Sequence, residues 1–333
     1  MNIVSLFAGA GGLDRAFEDA GFNVLWANEK DNTIWDTYKH NHPNTILETK
    51  SITDVKINDI PDAEIEGLIG GPPCQSWSLA GAMRGIEDEK GQLFYEYLRI
   101  LSALHPKFFV AENVPGMISK KHIDSFMNIK KLFETCGEHG YNVHFDTLTA
   151  SDFGVAQDRK RVFLVGYRKD LNINFDFEKL IKIDKKQTLR ACIGDLPEPL
   201  AALDKNKANE NLKIPNHEYA IGGFSSMFMS RNRKRSWDQQ SFTIQAGGRH
   251  APLHPESTPM IKINKDQWIF DENTHYPYRR LSVRECAKIQ SFDDDFVFIY
   301  NSVLDGYKMI GNAVPVKLGN VIARQIKIDL ENL

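Results

Sequence analysis

The sequence predicts an α/β protein: a mainly parallel, doubly wound, Rossmann-like sheet joined to a smaller loop- and strand-rich domain. Three observations carry this. In the first half, short apolar runs alternate with stretches of helical periodicity, the pattern of strands linked by crossover helices. The first apolar run leads straight into a glycine-rich turn, Ala8–Gly12. From Lys182 onward long periodicity is broken by Pro197, Pro199, Pro215, the polar stretch 204–211 and Gly222-Gly223, as in a loop-rich region with short strands. The expected boundaries are 1–181 plus 281–333 for the sheet domain and 182–280 for the smaller one.

The elements follow in order. Asn2–Leu6 is an apolar strand, and Leu13, Ala16, Phe17 and Ala20 have helical spacing up to Gly21. Residues 23–27 and 67–69 read as further strands, and Phe94, Leu98 and Leu101 share one face of a helix over 94–104. Residues 108–111 and 161–167 are apolar enough for buried strands. A helix is predicted at 282–290 after Arg279-Arg280-Leu281, and an apolar helix at 316–328 after the segment GYKMIGNAVP (306–315).

Composition sets outer limits. The chain has 333 residues, 42% hydrophobic and 26% charged, as in an ordinary globular protein. No apolar run reaches the ~18 residues of a membrane span, and MNIVSLFAGAGG has no basic lead or cleavage site for a signal peptide. Cys74, Cys136, Cys192 and Cys286 form no C-x-x-C pair, which argues against zinc and disulfides and fits a reduced, cytoplasmic protein. The formal net charge of -3 hides an asymmetry: residues 179–280 hold 17 basic and 11 acidic side chains. A cationic block inside an acidic chain suits a nucleic-acid-binding insertion, or a solvated lysine-rich face.

Several segments could carry chemistry. In FAGAGGLD (7–14) the glycines allow close approach of a ligand, and Glu29 follows the second strand where dinucleotide folds place a ribose-binding acid. The spacing is G-x-G-G, not G-x-G-x-x-G, which weakens an NAD reading and leaves a nucleoside-containing cofactor of open identity. In GGPPCQSWS (70–78) two glycines and two prolines fix the backbone just before Cys74. That cysteine is a candidate nucleophile at the carboxyl edge of the sheet. Glu112 and Asn113 end a strand, where partial burial of the carboxyl would suit a general acid. In GVAQDRKRVF (154–163), Arg159 and Arg161 alternate on an extended segment and are expected to project to one side.

Taken in series, the glycine turn, the acid, P-P-C-Q, E-N-V, Q-x-R-x-R and G-N-A-V-P closely resemble the DNA (cytosine-5) methyltransferases, from Ser5 to Ile326. The longer segments GGPPCQSWS, ALDKNKAN, PNHEYAIG, FMSRNR and DGYKMIGNAVPV resemble the HaeIII-type branch, which modifies GGCC. The fold implied is that of S-adenosylmethionine-dependent methyltransferases, with residues 182–280 as target-recognition domain.

The resemblance implies a set of roles. Cys74 matches the nucleophile that adds to carbon 6 of cytosine, Glu112 the carboxyl group at ring nitrogen 3, Arg161 the contact to the cytosine carbonyl, and Arg159 its companion. Phe7, Ala8, Gly9, Gly11 and Leu13 would surround the methionine part of S-adenosylmethionine, and Glu29 the ribose; Asn312 and Val314 would join the pocket. Where the family commonly has Asp-Ile for the adenine, this chain has Ser51-Ile52, so Ser51 or the nearby Asp54 would supply that contact; Lys30 replaces a common aromatic. The target base must be flipped from the duplex, and residues 75–91, with glycines at 81, 85 and 91, would form either a lid over it or an exposed loop. Arg231, Arg233 and Arg249 are candidates for reading guanine, Lys234 and Arg235 for phosphates, and Met227 with Phe228 for a wedge in the stack or a piece of core. The resemblance further implies double-stranded DNA as partner, a cognate restriction endonuclease on the same site, monomeric action and a location at the prokaryotic nucleoid. Three other functions compete: an RNA (tRNA) cytosine methyltransferase, a non-catalytic DNA-binding module, and a nucleotide-dependent dehydrogenase. The last leaves Cys74 and Q-x-R-x-R unexplained.

Overall fold

The computed structural model describes residues 1–73 and 92–333. These residues divide into two compact units, Met1–Thr149 with Lys160–Lys182 and Leu318–Leu333, and Ala150–Arg159 with Ile183–Lys317. The change at 182 agrees with the composition break. The other boundaries differ from those expected, because residues 150–159 and 281–317 pack with the middle block.

The first unit is a seven-stranded sheet, ordered β3-β2-β1-β4-β5-β7-β6. Its strands are β1 (Asn2–Leu6), β2 (Asn23–Asn28), β3 (Ile46–Glu48), β4 (Gly67–Gly70), β5 (Phe108–Asn113), β6 (Tyr141–Thr149) and β7 (Lys160–Arg168). The neighbouring pairs among β1 to β5 run parallel, and β7 runs antiparallel to both β5 and β6. The sheet is therefore mainly parallel, as the apolar runs predict.

Alternation along β5 distributes the core. Phe109 stacks on Phe133 at 4.5 Å on one face, while its neighbour Phe108 stacks on Phe17 at 6.2 Å on the other, since successive strand residues point to opposite sides. The helices α1 (Gly12–Glu18), α2 (Trp35–Asn41), α3 (Gln92–Leu104) and α4 (Ile123–Glu134) connect the strands. The α3 hydroxyl of Tyr97 donates to the carbonyls of Leu68 and Val110, bracing β4 against β5.

The second unit holds α5 (Leu189–Ile193), α6 (Val283–Ile289) and α7 (Val303–Asn312) among short strands and turns. The α6 start has a capping box: Ser282 Oγ accepts from Glu285 N–H, and Glu285 accepts from Ser282 N–H. Arg279 then pairs with both Glu285 oxygens, at 2.9 and 3.0 Å. A small core of Phe228, Leu253 and Met260 supports the arginine-rich segment. The final helix, α8 (Val316–Glu331), returns to the sheet unit, where Asn320 donates to the Ala16 carbonyl. Among the described residues no helix is long and apolar enough to cross a membrane.

Candidate active site

Parallel strands bring their carboxyl ends to one edge, so the segments after β1, β2, β4 and β5 are neighbours there. After β1, the turn takes left-handed backbone at Phe7, Gly9 and Gly11. Gly11 is required twice over: its φ is +87°, and a methyl group there would overlap the His42 ring. At Gly9 an added methyl would meet nothing within 4 Å, so that side of the turn is open. Glu29 closes the turn: its Oε2 accepts from Gly9 N–H at 3.0 Å and its Oε1 from Asp31 N–H at 2.8 Å. Each carboxylate oxygen can accept more than one hydrogen bond, so this oriented acid beside an open glycine turn fits a ligand bearing a diol.

Beneath the turn lies a polar network that the sequence reading did not find. The fully buried Asp14 accepts from Ser5 Oγ at 2.6 Å and from Tyr38 OH at 2.5 Å. Burial raises the Asp14 pKa above the usual carboxylate value, and the nearby His42 opposes that shift. Tyr38 and His42 stack at 4.5 Å, and His42 Nδ1 meets the Glu18 carboxylate at 3.0 Å. The legible signal was the i, i+4 spacing of Tyr38 and His42, which sets both on one side of the α2 segment.

At the end of β5, Glu112 forms an ion pair with Arg161, Nε to Oε1 at 2.7 Å. Both side chains are mostly covered, so the pair is held in geometry and orients the carboxylate. A methyl group on Gly71 would come within 3.1 Å of Glu112 Oε2, so the turn after β4 runs directly past this acid. Asn113 ties the two loops together by donating to the Pro72 carbonyl at 3.0 Å and accepting from Val114 N–H. Cys74 follows Pro73 directly in sequence; it and the expected lid, 75–91, lie outside the described residues.

Arg159 and Arg161 take different partners. Arg159 lies before β7 begins at Lys160, is fully buried, and donates to the carbonyls of Ile244, Gly311 and Ala313. The expected common face is corrected accordingly: the alternation of an extended strand does not reach back to residue 159. Ile52 is likewise a core side chain, at 2% exposure, whereas Asp54 is exposed and Ser51 half-buried, with its hydroxyl bonded to that of Thr53. Leu13 is buried, Lys30 exposed. In the second unit Asn312 ends α7 exposed, and Val314 is buried.

The nucleic-acid candidates separate by exposure. Arg231 and Arg249 are exposed, and Met227 is 63% exposed. Phe228 is wholly core, which rules out a wedge at that position. Arg233 is buried, stacks 5.0 Å from the Phe228 ring, and donates to the carbonyls of Phe228 and Met227. It is thus fastened to the protein, unlike the freely presented arginine that the sequence suggests. Arg235 is also engaged, 4.1 Å over the Phe242 ring and 3.4 Å from Asp158, while Lys234 is half-buried. Burial and the nearby Arg233, Arg231, Arg249 and Arg280 lower the His250 pKa, so four guanidinium groups share one neighbourhood.

The profile of C-5 cytosine-specific DNA methylases matches residues 1–328. The chain belongs to that family. It is 56% identical to the Type II methyltransferase M.MthTI of Methanothermobacter thermautotrophicus, over 100% of this chain and 99% of that protein. Identity is 52% to M.FnuDI of Fusobacterium nucleatum, over 98% and 94% of the two chains. Among solved structures, an Escherichia coli prophage protein described as a DNA modification methyltransferase superposes with a TM-score of 0.75 at 23% identity, covering 99% of each chain. That likeness shows the α/β methyltransferase fold. As a member of the family the chain is a DNA cytosine-5 methyltransferase.

Proposed function

We propose that this methyltransferase modifies carbon 5 of a cytosine within GGCC, or a related GC-rich site, as the protecting partner of a restriction endonuclease in the prokaryotic cytoplasm. The methyl donor is S-adenosylmethionine. The observation that carries the reading is the Glu112–Arg161 ion pair set against the Gly71-Pro72-Pro73 turn that leads to Cys74.

The chemistry assigned to each group follows from the needs of the base. Carbon 5 of cytosine is a poor nucleophile, so the Cys74 thiolate adds to carbon 6 and makes carbon 5 electron-rich. Glu112 in its protonated form donates to ring nitrogen 3 and Arg161 to the carbonyl, where negative charge develops during addition. When bound, the sulfonium cofactor supplies the methyl group to carbon 5. Loss of the carbon 5 proton and expulsion of the thiolate then restore the ring and free Cys74. Glu29 and the open turn at Gly9 suit the ribose and methionine ends of the donor, with Ser51 or Asp54 at the adenine. Exposed Arg231 and Arg249 suit guanine edges.

Relatives named as Type II methyltransferases support the modification role. Sequencing of bisulfite-treated DNA from cells that express the chain should report methylated cytosine within GGCC or a related GC-rich site; methylation confined to a site of another kind, or to RNA, would overturn the assignment. Cys74→Ser is expected to keep duplex binding in a gel-shift assay while losing transfer by about 10³-fold or more.

A further inference from the structure

The buried groups Gln157, Arg159 and Gln290 are fully enclosed, and the amides of Gln157 and Gln290 are joined to each other. Gln157 accepts from Ile244 N–H at 2.8 Å and donates to Gln290 Oε1 at 2.8 Å. Arg159 donates to the Ile244 carbonyl at 3.0 Å. One peptide residue is therefore gripped at both its N–H and its C=O by side chains. The same side chains also satisfy the end of α7: Gln290 donates to the carbonyls of Ile310 and Ala313, and Arg159 to those of Gly311 and Ala313. Helix ends leave carbonyls without intrahelical partners, so the grip also caps the helix.

Beyond Ile244 the chain lies along α7 at two points of contact. A methyl group on Gly311 would overlap the Gln245 carbonyl and the Ala246 nitrogen. A methyl group on Gly248 would stand 2.8 Å from a Tyr307 ring carbon and 2.9 Å from a Leu304 methyl. Leu304, Tyr307 and Gly311 are spaced i, i+3, i+7, one face of a helix. At Gly311 the obstacle is main chain, which has little freedom to yield. The outward residues of this loop are Gln245, Ala246 and Arg249, all exposed.

We propose that Gly311, with the Gln157–Gln290–Arg159 network, is a specificity-determining clasp that sets the position of Arg249 and hence discrimination at the base pair Arg249 reads. This rests on the reading of Arg249 as a DNA contact. Arg159 then acts as a positioning residue in the second unit. A bidentate guanidinium–guanine contact needs both nitrogens in line, and such constellations tolerate only about 0.5 Å of displacement.

The test uses full-length Gly311→Ala, Gln157→Met and Arg249→Ala proteins. Methylation is measured on the cognate duplex and on duplexes with each base pair of the site changed singly. Melting temperature and S-adenosylhomocysteine binding are measured alongside. Gly311→Ala and Gln157→Met should each raise the DNA KM on the cognate duplex on the order of tenfold, with kcat and cofactor affinity close to wild type. Discrimination should fall only at the base pair that Arg249→Ala also ceases to distinguish. If Arg249→Ala discriminates like wild type, the reading of that arginine fails and takes the proposal with it. If Arg249→Ala loses discrimination but neither clasp variant does, the clasp alone is overturned. A uniform loss over all duplexes, or failure of both clasp variants to fold, would make the network a matter of stability and overturn it too.

Discussion

At Glu112 the ion pair with Arg161 sets the geometry of the acid. Arg161 fixes the carboxylate through Nε, and Asn113 fixes the loop that leads to the cysteine through the Pro72 carbonyl. An aligned donor in such a site is worth about 10²–10³ in kcat. Arg161→Ala should therefore lower kcat by about 10²-fold while S-adenosylhomocysteine binding, measured by calorimetry, stays near wild type. Arg161→Lys should recover little, because an ammonium group cannot reproduce the planar fork. At this scale much was legible: Glu112, Arg161 and Glu29 sit at strand ends or beside them, where local spacing predicts a site. Arg159 and Arg233 were not legible, because a guanidinium that faces carbonyls of the same protein has the same letter as one that faces DNA.

At the scale of elements, the turn between β1 and α1 depends on α2 for its shape. Gly11 packs on His42, and Asp14 is tied to Tyr38. Gly11→Ala should cost about 1–2 kcal/mol from the left-handed backbone alone, and more from displacing the imidazole. Urea unfolding would measure this, with reduced S-adenosylhomocysteine affinity as the companion effect. The sequence predicts β1, β2, β4, β5, β7, α3, α6 and α8 within a few residues, since each has a clear apolar period. It passes over β6, although Tyr141, Val143 and Phe145 alternate with polar residues. It also passes over α7, where glycines at 306 and 311 weaken the helical pattern. Those glycines serve close packing: a methyl group on Gly306 would strike the Tyr300 ring.

At the scale of the whole molecule, acid should act through buried histidine. Burial lowers the His254 pKa below the ordinary 6.5, and Glu285 only partly offsets it. The native protein then binds fewer protons than the unfolded chain. This contribution to stability is complete above 6.5 and is lost as pH falls toward and through the lower folded value. His250 shifts in the same direction. The melting temperature should fall as pH drops below 6.5, and His254→Gln should flatten that slope; an unchanged slope would exclude His254 as a source.

The order of motifs along the chain was enough to place it among the cytosine-5 DNA methylases, because each motif answers a local need. A turn needs glycine, a strand needs apolar alternation, and a nucleophile needs a rigid approach. Only the folded chain decided that Arg159 turns to Gly311, 152 residues away, and that the Gln245 backbone lies against that glycine. Spacing governs neighbours on one strand or helix; contacts between distant segments depend on which surfaces the fold presses together.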